Sequence, residues 1–152
     1  MSQVSISDCR ICKQLSSYNY ADLTYAPIPA HIASLTGDSP TSLADNAVVR
    51  CPVCNTFYRY NYSCGFAEND IELRRISPVE AGAQTDVERF RRELTSDDLE
   101  TQSYAAKCLM EYYLAHEQAL DAEGLLKSDN DNIRSSAVAS QAYFKYHQKL
   151  QE

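Results

Sequence analysis

The pattern of apolar and polar positions changes character twice along these 152 residues. Before Ala47 there is little periodicity. Pro27, Pro29 and Pro40 interrupt any helix there, leaving room for a turn or two at 30–35 and a loop at 39–45. From Ala47 the period becomes two: Val48-Val49-Arg50 leads in and Phe57-Tyr58-Arg59-Tyr60-Asn61-Tyr62 alternates. Aromatic and β-branched residues at every second position predict strands. Tyr58, Tyr60 and Tyr62 would share one face, and Phe57, Arg59 and Asn61 the other. Gly65 is expected to end that strand, and 71–76 to pair with it.

After Ser77 the period lengthens to that of a helix. Pro78 suits a first helical position behind a serine cap, with Glu80 in the first turn. Helices are predicted near 78–93, 97–115, 117–127 and 130–150. These contain an internal repeat: residues 94–98 followed by 103–106 align with 126–130 followed by 135–138, an offset of 32. In each copy a helix ends at a leucine, an Asp-rich turn follows, and the next helix begins with small residues. Two-helix repeats of this length predict stacked α-hairpins; the alternative is an ordinary antiparallel bundle. The expected fold class is therefore α+β. A small zinc-ribbon-like β region at 1–76 precedes a helical region at 77–152 of about four helices, packed together as one unit.

Hydrophobic content of 44% is that of a folding chain. No apolar run approaches the roughly 20 residues needed to cross a bilayer. The N-terminus lacks the basic and apolar regions of a signal peptide, so a cytoplasmic location is expected. The net charge of −7 is unevenly spread: residues 1–67 balance four acids against four bases, whereas 68–152 carry seventeen acids against ten bases. An acidic half repels phosphate backbones and attracts basic proteins, although acids also simply keep a helical surface soluble.

The cysteines carry the chemistry. Six are present, and Cys9-Arg10-Ile11-Cys12 and Cys51-Pro52-Val53-Cys54 form two C-x-x-C knuckles. A disulfide framework needs an oxidising compartment, for which nothing here speaks. Paired knuckles in a reducing cytosol predict four metal thiolates, because two cysteines three apart in a tight turn aim both sulfurs at one ion. The second knuckle has strands on both sides, Pro52 to stiffen the turn, and Asn55 where a left-handed residue is needed. Zinc is the expected occupant, and iron suits the same four sulfurs. A closed four-cysteine site has no open coordination position, so it staples rather than catalyses. Cys64 and Cys108 are left over and are read as structural, Cys108 as a buried small hydrophobe in a helix.

No catalytic constellation accompanies this site. His31, His116 and His147 form no metalloprotease motif, and no nucleophile elbow, phosphate loop or dinucleotide fingerprint occurs. Neither knuckle lies in a redox βαβ pattern, and Pro52 is misplaced for a zinc deaminase. The chain is not expected to be an enzyme.

Cys51-Pro52-Val53-Cys54, the tyrosines at 58–62 and the turn Asp129-Asn130-Asp131-Asn132-Ile133-Arg134 resemble small bacterial proteins that join a zinc knuckle and a Tyr-rich strand to HEAT-like helices. The first repeat departs from that pattern, with Thr101-Gln102 in place of the hydrophobic-Arg pair. The resemblance covers roughly 47–150. It implies an interaction module and, for acidic members, similarity to toxin-neutralising immunity proteins. The expected partner is a basic protein, contacted through Tyr58, Tyr60, Tyr62, Glu88, Asp97, Asp98, Asp121 and Glu123. Two alternatives stand beside this. The tyrosine row can instead close the core, or it can act with Arg50, Arg59, Arg74 and Arg75 in binding nucleic acid. The neutral N-terminal half weakens the second.

Overall fold

The computed structural model describes residues 5, 8–10, 12, 18–22, 47–62 and 70–150, and it is α+β. The chain divides into two compact units, Met1–Ile76 and Ser77–Glu152. The predicted turns at 30–35 and 39–45, the strand end at Gly65, and Cys64 lie outside the described residues.

In the first unit the alternating segments form an antiparallel sheet. Its strands are β1 (Tyr18–Asp22), β2 (Ala47–Arg50), β3 (Phe57–Tyr62) and β4 (Asp70–Ile76), in the order β1-β4-β3-β2. Residues 71–76 pair with the tyrosine strand as expected, and Tyr58 lies opposite Arg75 and Val49. All three are buried. Neighbouring positions point to the other face, where Arg59 sits opposite Arg74 and both are partly exposed. Period two has sorted the strand as a one-sided sheet requires.

The second unit is helical, with five helices among the described residues: α1 (Pro78–Ala81), α2 (Val87–Glu93), α3 (Leu99–Ala115), α4 (Ala119–Leu126) and α5 (Asp131–Leu150). Pro78 occupies the first turn of α1, and the Ser77 side chain accepts from the Glu80 N–H at 3.1 Å. The helix expected over 78–93 is broken in two. Gly82 closes α1 at φ 70°, a left-handed conformation that costs glycine little. Asp86 then caps α2 by accepting from the Arg89 N–H at 3.1 Å. A glycine stop followed by an Asp cap overrides the continuous apolar period.

The offset of 32 recurs in the coordinates. Val87 and Ala119 begin α2 and α4, and Leu99 and Asp131 begin α3 and α5. The intervening turns are built from matching hydrogen bonds. Ser96 Oγ accepts from the Asp98 N–H at 3.1 Å, and Ser128 Oγ from the Asn130 N–H at 3.1 Å. Asp98 then accepts from the Thr101 N–H at 2.9 Å, as Asn130 does from that of Ile133 at 3.0 Å. Gln102 donates to the Ser96 carbonyl at 3.5 Å where Arg134 donates to that of Ser128 at 2.7 Å. The first copy departs from the second in sequence at this position, yet its amide reaches the same carbonyl. Each cap is a helix-start device worth about 1 kcal/mol.

The two hairpins meet along α3 and α5. The Asn132 amide donates to the Leu99 carbonyl and the Gln102 side chain, both at 3.0 Å, and accepts from Ser103 Oγ at 2.8 Å. Helix α3 is the centre of this unit: Ala105, Ala106, Cys108, Leu109 and Met110 are fully buried. Tyr104 meets Phe90 edge to face at 5.8 Å. Cys108 takes the buried place expected of it, and burial pushes its thiol far above the usual range. The Arg89–Glu93 pair, at 3.0 Å, is buried as well, which the charge pattern alone does not reveal.

Candidate metal centre

The second knuckle is shaped by its backbone. Cys51 N–H donates to the Thr56 carbonyl at 2.9 Å, and the Cys51 carbonyl accepts from the Asn55 N–H at 3.0 Å. Asn55 takes φ 60°, the left-handed conformation anticipated for it. The chain thus leaves β2 at Arg50, turns over the six residues 51–56 and re-enters as β3 at Phe57. The Val53 N–H points at Cys51 Sγ at 3.4 Å, and in the first knuckle the Cys12 N–H points at Cys9 Sγ at 3.4 Å. Backbone N–H groups aimed at sulfur favour the thiolate.

Cys9, Cys12, Cys51 and Cys54 come together fully buried, with their sulfurs all within 4.8 Å of one another. Cys9 Sγ lies 3.6 Å from Cys51 Sγ, and Cys54 Sγ lies 3.5 Å from Cys12 Sγ. A disulfide requires about 2.05 Å. Four thiolates bound tetrahedrally at about 2.3 Å from one ion stand about 3.8 Å apart along each edge. The spacing therefore fits a metal and not a cross-link, and all four cysteines are free thiols. The two knuckles, 42 residues apart in each close sulfur pair, can together hold one metal ion.

Electrostatics inside the cluster point the same way. Hydrogen bonds from Cys12 and Cys54 hold the Cys51 thiol down to about 3, against the opposing effect of burial. The Cys12 thiol is driven far up, chiefly by its hydrogen bonds with Cys51 and Cys54, with burial adding to them. Four packed sulfurs cannot all ionise without a cation among them. A divalent ion replaces the protons and relieves that competition.

The neighbours of the sulfurs are polar. Thr56 Oγ1 lies 3.0 Å from Cys54 Sγ. Tyr58, fully buried, hydrogen-bonds to Cys12, and its oxygen accepts from buried Arg75 Nε at 3.4 Å. Burial keeps the phenol far above its ordinary range, so it stays protonated and donates to the sulfur. Such outer partners typically change metal affinity about tenfold to a hundredfold. Replacement of Tyr58 by Phe should therefore speed metal loss to a competing chelator by about that factor, with the fold retained. Unchanged release kinetics would show that the hydroxyl does not act on the site.

Of the expected contact residues, Tyr58 is corrected: it is a core side chain beside the cysteine cluster, not part of an exposed row. The side chains of Tyr60 and Tyr62 lie outside what is described. Arg75 is buried with Tyr58, which withdraws two groups from the nucleic-acid alternative; Arg50 is exposed and Arg59 and Arg74 are partly so. Glu88, Asp97, Asp98, Asp121 and Glu123 are all exposed. Asp98 is committed to capping α3. Glu88 pairs with Arg91 at 3.2 Å, and Glu123 with Lys127.

Thr56 and Arg75 are neighbours of the site that sequence reading missed. Thr56 had a local signal, following Cys54 by two residues. Arg75 had none, because only the β3–β4 register brings it to Tyr58. No helix is long and apolar enough to cross a membrane among the described residues. No protein-family model, curated protein or solved structure matches the chain.

Proposed function

We propose that this chain is a zinc-stapled protein-binding module whose acidic helical unit engages a basic protein, in the manner of a toxin-neutralising immunity protein. Four thiolates suit zinc as a structural ion, closed to substrate. Zinc would hold the two knuckles in a ribbon-like unit, and the paired hairpins would present the binding surface as HEAT-like repeats do. No enzymatic step is assigned to any residue.

The observation that carries the reading is the run of exposed carboxylates on successive hairpins. Glu88 stands on α2, paired with Arg91 at 3.2 Å, and Asp121 on α4, and both are exposed. Glu123 lies further along α4, and Asp97 and Asp129 mark the two equivalent turns, all exposed. A surface with this excess steers a cationic partner and repels phosphate.

The test is capture from the native cells on immobilised protein, with zinc measured on the same eluate. One basic protein released by salt, and lost when Glu88, Asp97, Asp121 and Glu123 are changed to Lys, is the expected result. Asp98 is left intact because its loss would weaken α3 itself. Capture unaffected by the four reversals, or recovery of nucleic acid instead, would overturn the reading.

A further inference from the structure

Among the described residues, α5 exposes the stripe that is equivalent to one α3 buries. On α3, Ser103 contacts Asn132 and Lys107 lies over the Tyr143 ring at 5.5 Å, so this stripe of α3 faces α5. Ala106 and Met110, on the same stripe, are fully buried. Shifting by the repeat offset gives Ser135, Val138, Ala139, Ala142 and Tyr146 on α5. Every one of these is exposed, Val138 at 52% and Tyr146 at 60%, and Leu150 one turn further at 64%. The surface that α3 uses to receive the next helix is thus present again on α5. No described residue covers it.

We infer that this face of α5 pairs with the same face of a second copy of the chain, the two helices running antiparallel. Continuity with the α3–α5 interface supplies the apolar surface, and the charge along α5 sets the direction. Asp129 and Asp131 stand at its start, and Lys145 and Lys149 near its end, all exposed. A parallel pair would set like charges together. A twofold axis at the helix midpoint instead brings the acidic start of each copy to the basic end of the other. The same axis places Ala139 against Ala142 of the second copy, where small side chains allow the backbones to approach. It also places Ser135 against Tyr146, filling a gap beside a large ring. Such an isologous contact closes on itself and forms no filament. One helix, about 30 Å long, makes an interface below the size of stable dimers, so association at high micromolar protein is expected. Apart from Asp129, which stands in both, this face shares no residue with the proposed partner surface on α2, α4 and the turn at Asp97.

Sedimentation equilibrium on the metal-loaded full chain tests it. The average mass should rise with concentration from 17.1 kDa toward twice that value. Ala142→Arg should hold the chain at the monomer mass at every concentration, with its helical circular dichroism unchanged. Lys149→Glu, a surface change that leaves the fold alone, should weaken association at least several-fold and serves if Ala142→Arg misfolds. A wild-type chain that stays monomeric into the millimolar range overturns the inference. So does a dimer that neither substitution weakens.

Discussion

Stripping the metal from Cys9, Cys12, Cys51 and Cys54 should unfold the strand unit and leave the helices standing. The described large side chains fully buried in that unit are few, chiefly Tyr58 and Ile76, beside the four sulfurs themselves. Metal binding offsets the conformational entropy of ordering the chain between two knuckles so far apart in sequence. Structural zinc contributes about 10–16 kcal/mol in small domains of this kind, more than the whole stability of a typical domain. Every candidate ligand precedes Ile76, in the strand unit. With a chelator in excess, amide signals from 47–76 should collapse to unfolded positions while those of α3 and α5 persist. Four thiols should become reactive as one metal ion is released. Cys108 should stay silent, since its thiol is buried and held protonated. A sheet that keeps its amide dispersion after complete metal removal would contradict the stapling role.

The opposite separation is expected from Leu109→Ala. Leu109 is fully buried at the middle of α3, the helix against which α1, α2, α4 and α5 all pack. Cutting it back removes transfer energy and leaves a cavity that rigid helices close only in part, about 2–5 kcal/mol in all. For a unit this size that is a large share of its stability. Urea unfolding followed by far-ultraviolet circular dichroism should show a clear fall in midpoint. The bound metal per chain should not change, because no ligand lies in the helical unit. A loss below about 1 kcal/mol would mean that α3 is not the organising helix.

Local rules carried the reading of the chain a long way. The metal knuckle was legible because its parts are adjacent: two sulfurs three residues apart, a proline between them and an asparagine at the left-handed position. The tyrosine strand was legible from period two, and the matching helix starts from the offset of 32, with caps at Asp98 and Asn130 that repeat bond for bond. Over 78–93 the apolar period suggests one helix, but Gly82 supplies a local stop and Asp86 a local start. Those signals were also in the sequence.

Strand faces, caps, turns and the pairing of cysteines within each knuckle depend on residues within a turn or two of each other, and the sequence carries them directly. Tertiary structure alone decided the rest. It brought the two knuckles to one point across the intervening chain, and it turned Tyr58 from a candidate surface residue into a buried donor beside Cys12. It set Arg75 behind that tyrosine, and it left on α5 the stripe that α3 buries. Each of these depends on register and packing between segments far apart in the chain. Such contacts follow from the burial of whole surfaces together, which no local pattern encodes.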